Sequence, residues 1–392
     1  MLFLLSAGEA SGDAYGAQLI AALRQSAPDA KFFGVGGDAM RAAGCNNVVA
    51  AGDIAVVGLA EVVRHLPRIY REFRKLLRAV DERRPDAAIL IDFPDFNFRL
   101  ARQLHRRGIP VFYYVSPQMW AWRPGRIALV RRYVRQMLVI FPFEQEWYRK
   151  RGVDAIYAGH PLADLPAPTV SRPEFARQYE LNPEKRWIAL LPGSRRREVA
   201  MNLPAMLEAA RALGPENQFL LPVAPNLNES WLADLTRNSG VSLTLTRDAR
   251  ATLRHARAGI VASGTATVEA ALLGMPFVMV YRVSPLTWTI GRPLVKVPFY
   301  GMVNLIAGRM IVPELIQHDF CAERVAPALA SLITDGPARE QMLADLTAVR
   351  LALQGPARKG PQTAAERAAE VIMKRMSRAN CRHSAKQREL SS

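Results

Sequence analysis

Residues 259–281 read GIVASGTATVEAALLGMPFVMVY. A short apolar strand, Gly259–Val261, runs into Ala262-Ser263-Gly264-Thr265 and opens a short helix. That helix ends at Gly274, and a second strand, Phe277–Tyr281, follows Pro276. Strand, helix and strand in succession predict parallel strands joined by a right-handed crossover. The same rhythm extends in both directions. Upstream it restarts at Trp187–Leu191 and continues through Phe219–Val223 and Ser242–Leu245. Further upstream, Leu2–Ser6, Phe32–Val35, Ala88–Ile91, Val111–Val115 and Met137–Ile140 alternate with amphipathic stretches such as Ala14–Gln25 and Phe98–Arg107. Between the two series, residues 161–185 hold five prolines and no strong strand, which reads as a boundary. The expected fold class is α/β, with two Rossmann-like doubly wound domains facing a cleft, over 1–165 and 186–345. A C-terminal helix and basic, mobile tail over 346–392 is expected to pack back on the first domain. Ligands of such sheets bind at the carboxyl ends of the strands, so the loops after the strands carry the interest.

Bulk properties narrow the class. The 392 residues suit two domains of roughly 150–200 residues. Half of them are hydrophobic and 22% are charged, which allows two sizeable cores. Cys45, Cys321 and Cys381 lie far apart with no CxxC pair, pointing to a reducing compartment and away from disulfides or a zinc site. The opening apolar run of about five residues lacks a basic leader and enters a glycine-rich turn, so it reads as a first strand and not a signal peptide. No stretch approaches the ~20 apolar residues of a membrane span, so a cytoplasmic protein with at most peripheral membrane contact is expected. The net charge of +17 calls for an anionic partner: nucleic acid, an anionic membrane or a phosphorylated substrate. No RRM, KH, helix-turn-helix or finger signature accompanies the basic regions, so nucleic acid is not expected.

Two loops of the first series carry carboxylates. Ala7-Gly8-Glu9-Ala10-Ser11-Gly12-Asp13 follows the first strand and opens a helix. Its glycine spacing is not the dinucleotide fingerprint, and two carboxylates stand where a pyrophosphate would sit, so NAD is disfavoured. Ser11 or Asp13 caps the helix, or Glu9 and Asp13 line the cleft and bind sugar hydroxyls; both readings are open. In Ile91-Asp92-Phe93-Pro94-Asp95-Phe96-Asn97, the strand ends at Asp92 and Pro94 stops it, which puts Asp92 and Asp95 at the cleft edge. A carboxylate held there among aromatic rings is suited to act as a general base. Asp92 is the preferred base with Asp95 as the alternative, and one of Asp95 and Asn97 is expected to cap the next helix. The D-x-x-D spacing differs from the metal-chelating D-x-D, so no metal and no cofactor is called for. Trp120 and Trp122, beside Arg123, either pack on sugar or acyl groups or fill a domain interface.

Two loops of the second series suit a diphosphate. Pro192-Gly193-Ser194-Arg195 runs from a strand into a helix: Gly193 permits close approach, the helix start attracts anions, and Arg195 can grip a phosphate bidentately. Ser263, Gly264 and Thr265 open the helix quoted above, and Glu269 one turn further in can accept from both ribose hydroxyls. A capping box would also explain that spacing.

The pattern S-G-T-x-x-x-E-A-x-x-x-G-x-P at 263–276 resembles the nucleotide-sugar site of GT-B glycosyltransferases. With AGEASGD, IDFPDFN, YVSPQMWAW, GHP and LLPGSR in this order, residues 2–345 resemble the lipid-A-disaccharide synthase family (glycosyltransferase family 19). The resemblance implies transfer from UDP-2,3-diacylglucosamine to 2,3-diacylglucosamine 1-phosphate, giving the β-1′,6-linked disaccharide phosphate and UDP with inversion. It implies Asp92 as base, Glu9, Ser11, Gly12 and Asp13 near the sugars, and Gly193, Ser194, Arg195, Ser263, Gly264, Thr265 and Glu269 around UDP. Asn304 and Glu314 match a further family segment at the cleft. It also implies a homodimer and a place on the cytoplasmic face of the inner membrane. Val62, Val63, Leu66, Ile69, Phe73, Leu76 and Leu77 form a helical stripe bordered by Arg68, Arg71 and Arg74. That stripe suits either an anionic lipid surface or an ordinary core. Competing readings are another UDP-sugar GT-B enzyme, such as a peptidoglycan-precursor transferase or a UDP-sugar 2-epimerase, and a non-catalytic anion binder.

Overall fold

The computed structural model describes residues 1–54, 59–122, 124–295, 297–356 and 362–389. The chain forms two compact units, Met1–Asp164 with Leu353–Ser392, and Leu165–Ala352. Each is a parallel, doubly wound α/β sheet, as the alternating pattern predicts.

In the first unit the strands are β1 (Leu2–Ala7), β2 (Lys31–Gly36), β3 (Cys45–Ala50), β4 (Ala87–Ile91), β5 (Val111–Tyr114), β6 (Gln136–Val139) and β7 (Ala155–Tyr157). They lie in the order β3-β2-β1-β4-β5-β6-β7, every pair parallel. β1 and β4 are buried on both faces, and for that reason they are apolar runs, broken in β1 only by Ser6, instead of alternating ones. The helix Pro94–Arg106 begins with proline in its first turn and buries Phe96, Leu100, Ala101 and Leu104 at helical spacing. The last helix, Ala364–Glu389, returns to this unit and packs against the helix Ala10–Ser26. It buries Ala364, Ala365, Ala368 and Ala369, small residues that let two helix backbones approach, and the larger Ile372.

The second unit holds β8 (Arg186–Leu191), β9 (Asn217–Pro222), β10 (Leu243–Thr246), β11 (Ala258–Ala262), β12 (Phe277–Tyr281) and β13 (Glu314–Ile316). Their order is β10-β9-β8-β11-β12-β13, again all parallel. β8 and β11 are adjacent, with Leu190 opposite Ile260, so the loops after them open side by side.

Candidate active site

In the first unit three loops meet at the carboxyl ends of neighbouring strands β1, β4 and β5. Their backbone is strained. Asp92 has φ 44°, Phe93 φ 50° and Val115 φ 61°, a region that side chains other than glycine rarely enter. For β-branched Val115 it is a genuine outlier, and each such residue costs on the order of 1–3 kcal/mol. The surroundings impose the conformation. Asn97, fully buried, donates to the carbonyls of Ser6, Ile91 and Asp92 at 3.3, 3.2 and 2.8 Å, and accepts from Ser6 Oγ at 2.7 Å. The Tyr113 hydroxyl donates to the Asp92 carbonyl at 2.6 Å, and the Asp92 N–H donates to Val115 O at 3.2 Å. Gly8 lies under the Phe93 ring, where a Cβ would stand 2.4 Å from the nearest ring carbon.

These constraints set the Asp92 carboxylate. Burial pushes it up to about 6, the Glu9 carboxylate adds to the rise, and a hydrogen bond from the Phe93 N–H opposes it. Glu9 itself is exposed at the N-cap of the helix Ala10–Ser26. Ser11 is half-buried in the first turn, and Gly12 packs against Ala7 and Ile91. Asp13 caps a helix other than its own: its oxygens accept from the N–H groups of Gly37, Ala39 and Met40 at 2.6, 2.9 and 3.2 Å, at the start of the helix Asp38–Ala42. Asp95 is exposed and paired with Arg126. Glu9 and Asp92 therefore act on one another, whereas Asp95 is neutralised elsewhere.

Trp120 fills the core of its own unit. Its indole N–H donates at 3.0 Å to Glu144, which also accepts from the N–H groups of Ile140 and Phe141 at 3.2 and 3.0 Å. Glu144 is wholly buried, and burial pushes it up to about 7 against those hydrogen bonds. The Trp122 side chain and Arg123 lie outside the described residues.

In the second unit Gly193 has φ 123°, and the helix Arg196–Ala212 follows Arg195 at its N-cap. The N–H groups of Ser194 and Arg195 already hold an anion, the Glu198 carboxylate, at 3.0 and 3.3 Å, and Arg195 pairs with the same side chain at 3.4 Å. Sequence reading overlooked Glu198, although a glutamate three residues after an N-cap is the capping-box signal. On neighbouring β11, Gly264 (φ 148°) and Thr265 are exposed at the start of the helix Thr265–Leu272, and Ser263 is half-buried. Burial raises the carboxyl of Glu269 above its ordinary value, opposed by Arg250. Asn304 and Glu314 lie together and brace one loop. Glu314 accepts from the Tyr300 and Gly301 N–H groups at 2.9 and 2.8 Å and from Asn304 at 2.8 Å. The Asn304 carbonyl accepts from Ile311 and Val312 at 2.8 and 2.9 Å.

The basic helix spans Leu59–Arg83 with Pro67 inside it. From Ile69 onward its stripe turns inward: Ile69, Phe73 and Leu77 pack against the core that buries Leu76. Leu66 and Tyr70 are exposed. Arg68 pairs with Asp53 at 2.5 Å, Arg71 with Glu72 at 3.1 Å, and Arg74 lies over the Tyr70 ring. Val62 and Val63 lie outside the described side chains. Among the described residues no group of three or more His, Cys, Asp or Glu is placed to hold a metal. No described helix is long and apolar enough to cross a membrane.

Two parallel doubly wound units with helix-start loops at their strand ends define the class, the GT-B architecture of glycosyltransferases. Solved structures share it: the UDP-GlcNAc 2-epimerase of Neisseria meningitidis bound to UDP-GlcNAc (TM-score 0.63, 12% identity, covering 96% of this chain and 100% of that one) and the calicheamicin glycosyltransferase CalG4 (TM-score 0.58, 17% identity, 95% and 97%). At such identities the likeness is one of fold. The family model for lipid-A-disaccharide synthetase matches residues 3–368, and the lipid-A-disaccharide synthase of Koribacter versatilis is 57% identical over 373 residues, 94% of this chain and 97% of that protein. The chain belongs to the lipid-A-disaccharide synthetase family. It is a glycosyltransferase of lipid A disaccharide synthesis, and the epimerase and peptidoglycan-precursor readings are not favoured.

Proposed function

We propose that the chain joins UDP-2,3-diacylglucosamine to 2,3-diacylglucosamine 1-phosphate with Asp92 as general base. The observation that carries this reading is a half-buried carboxylate raised to about 6 on a strained, fully braced loop. Asp92 takes the proton of the acceptor 6-hydroxyl as that oxygen bonds to the donor's anomeric carbon. The bond from that carbon to the diphosphate breaks, and UDP leaves from the opposite face, which inverts the α-linked donor.

Negative charge then develops on the diphosphate. Arg195 and the N–H groups of Ser194 and Arg195 stabilise it, with Glu198 giving up its place to the ligand. Gly193 leaves room for close approach, Ser263, Gly264 and Thr265 offer a second helix start, and Glu269 accepts from the ribose. Glu9 keeps Asp92 basic through like charge. Ser11 and Gly12 shape the sugar end, and Asp13, both of whose oxygens are engaged, positions the neighbouring helix. Asn304 and Glu314 hold the loop beside β12. Leu66 and Tyr70, among Arg68, Arg71 and Arg74, give the enzyme a peripheral footing on the cytoplasmic face of the inner membrane. Vesicle binding that survives neutralising the three arginines would remove that part of the reading. A homodimer is the family's expectation, read by light scattering.

The test is UDP release by the purified chain with UDP-2,3-diacylglucosamine, with and without the monosaccharide phosphate acceptor. Acceptor-dependent release that Asp92→Asn lowers by about 10²–10⁴-fold is expected for loss of a general base. Release that ignores the acceptor, or an Asp92→Asn enzyme as fast as its parent, sinks the assignment.

A further inference from the structure

At the opposite end of the second sheet, where its strands begin, a pocket of about 470 Å³ opens among Arg172, Lys185, Arg186, Arg257 and Arg339. β8 starts at Arg186 and β11 at Ala258, so the length of those strands, roughly 16–20 Å, separates the pocket from the loops at 193–195 and 263–265.

Fold physics explains part of this gathering. In a parallel doubly wound sheet, helices end where strands start, so unpaired carbonyls and the negative helix ends converge on this edge. Arg172 donates to His255 O at 2.7 Å, the last residue of the helix Ala249–His255, and lies 3.5 Å from the centroid of the Trp187 ring. Arg339 donates to Leu332 O at 2.6 Å and to Arg257 O at 2.8 Å, and Arg257 Nε donates to Ile333 O at 2.8 Å, which closes the helix Ala322–Ile333.

Capping does not explain the excess. Burial holds the Arg339 guanidinium below its ordinary value and the Arg257 charge adds to that; burial does the same to Arg172. Lys185 donates to Pro215 O at 2.9 Å, just past the helix Arg196–Ala212, whereas Arg186 caps neither of the two helices above, and both add charge to the same wall. Against five basic side chains stand two carboxylates, Glu184 and Asp335, and Asp335 is already paired with Arg257. Guanidinium forks present several N–H donors in a plane, the geometry that phosphate oxygens match. The Trp187 ring is fully buried beneath Arg172 and offers no face to a nucleobase. The volume falls within the range of small-ligand sites, roughly 300–1,000 Å³.

We infer that this pocket binds a ligand carrying two or more adjacent phosphates, supplied by a soluble polyphosphate or by an anionic lipid headgroup, at a site separate from the diphosphate loops. Calorimetric titration of inorganic pyrophosphate into the full chain, with UDP saturating, reads the soluble source. Flotation with phosphatidylcholine vesicles with and without cardiolipin reads the lipid source. The comparison variant is Lys185→Glu/Arg186→Glu, with Arg186→Ala as the milder change and melting temperature as the control for folding. At least one ligand is expected to bind the parent saturably and about ten-fold or more weakly to the double variant, while UDP affinity stays unchanged. Pyrophosphate binding without vesicle binding assigns a soluble ligand, and cardiolipin-dependent flotation assigns a headgroup. A parent that binds neither, or a folded variant that binds as its parent does, overturns the inference whether or not UDP binds.

Discussion

A carboxylate raised to about 6 changes charge inside the range where an enzyme works. As a base Asp92 must be ionised, so kcat/KM is expected to rise with pH and level off above about 6. Glu9→Gln removes the neighbouring like charge and is expected to move that limb to lower pH, visible in a pH–rate profile; an unmoved limb would detach Glu9 from the base. Glu144 titrates higher still, at about 7. Its folded value lies above the unfolded one, ~4.3, so stability is full below about pH 4 and falls as pH rises through 7. Glu144→Gln is expected to flatten that decline, which amounts to about 4 kcal/mol at most, in melting temperatures recorded from about pH 5 to pH 8. At this scale the sequence was partly legible. Asp92 stood out because a strand ends on it and a proline follows. Asp13 and Asp95 did not yield their partners, since Gly37 and Arg126 are distant in sequence and brought close only by the fold. Glu144 lacked any local signal, because its burial depends on a loop from another strand.

Elements differ in how openly they announce themselves. The ten strands expected from apolar runs are present, whereas β3, β7 and β13 were not foreseen. Each lies at a sheet edge, where one side of the ladder is free and polar residues are tolerated. β3 contains Asn46 and Asn47, and β7 and β13 have three residues each. The basic helix shows the converse: charge counted along the sequence pointed outward, but from Ile69 on its apolar residues had a core to fill. Loops were hardest, because strain leaves little trace in composition. Gly8 illustrates this, its need for glycine arising from the Phe93 ring above it. Gly8→Ala is expected to cost about 1–3 kcal/mol in urea denaturation and clearly less in a Phe93→Ala background. Equal costs in both backgrounds would show that the ring does not dictate the glycine.

The first unit is built from two separated segments of one chain. His160 donates its backbone N–H to Leu353 O at 2.8 Å, and Arg367 donates to the carbonyls of Ala158 and Gln354 at 2.5 and 2.7 Å, so the outgoing and returning segments are tied together. Ile372 and Met376 are buried there. Burying each contributes about 1.5–3 kcal/mol, so together they match a sizeable part of a domain's net stability. A chain ending at Ala352 is therefore expected to lose the cooperative transition of its first unit in calorimetry, while one ending at Ser377 keeps it.

The same stitching sets a timetable for synthesis. A ribosome makes the first sheet early, but the helix that packs on Ala10–Ser26 comes after roughly 190 further residues, a delay of about 10–40 s at ordinary elongation rates. During that interval the second unit, encoded without interruption, has all it needs to fold, whereas the first waits with an apolar flank uncovered. The first unit is thus the part of the nascent chain most exposed to chaperones and proteases, and only the helix Ala364–Glu389 releases it from that exposure.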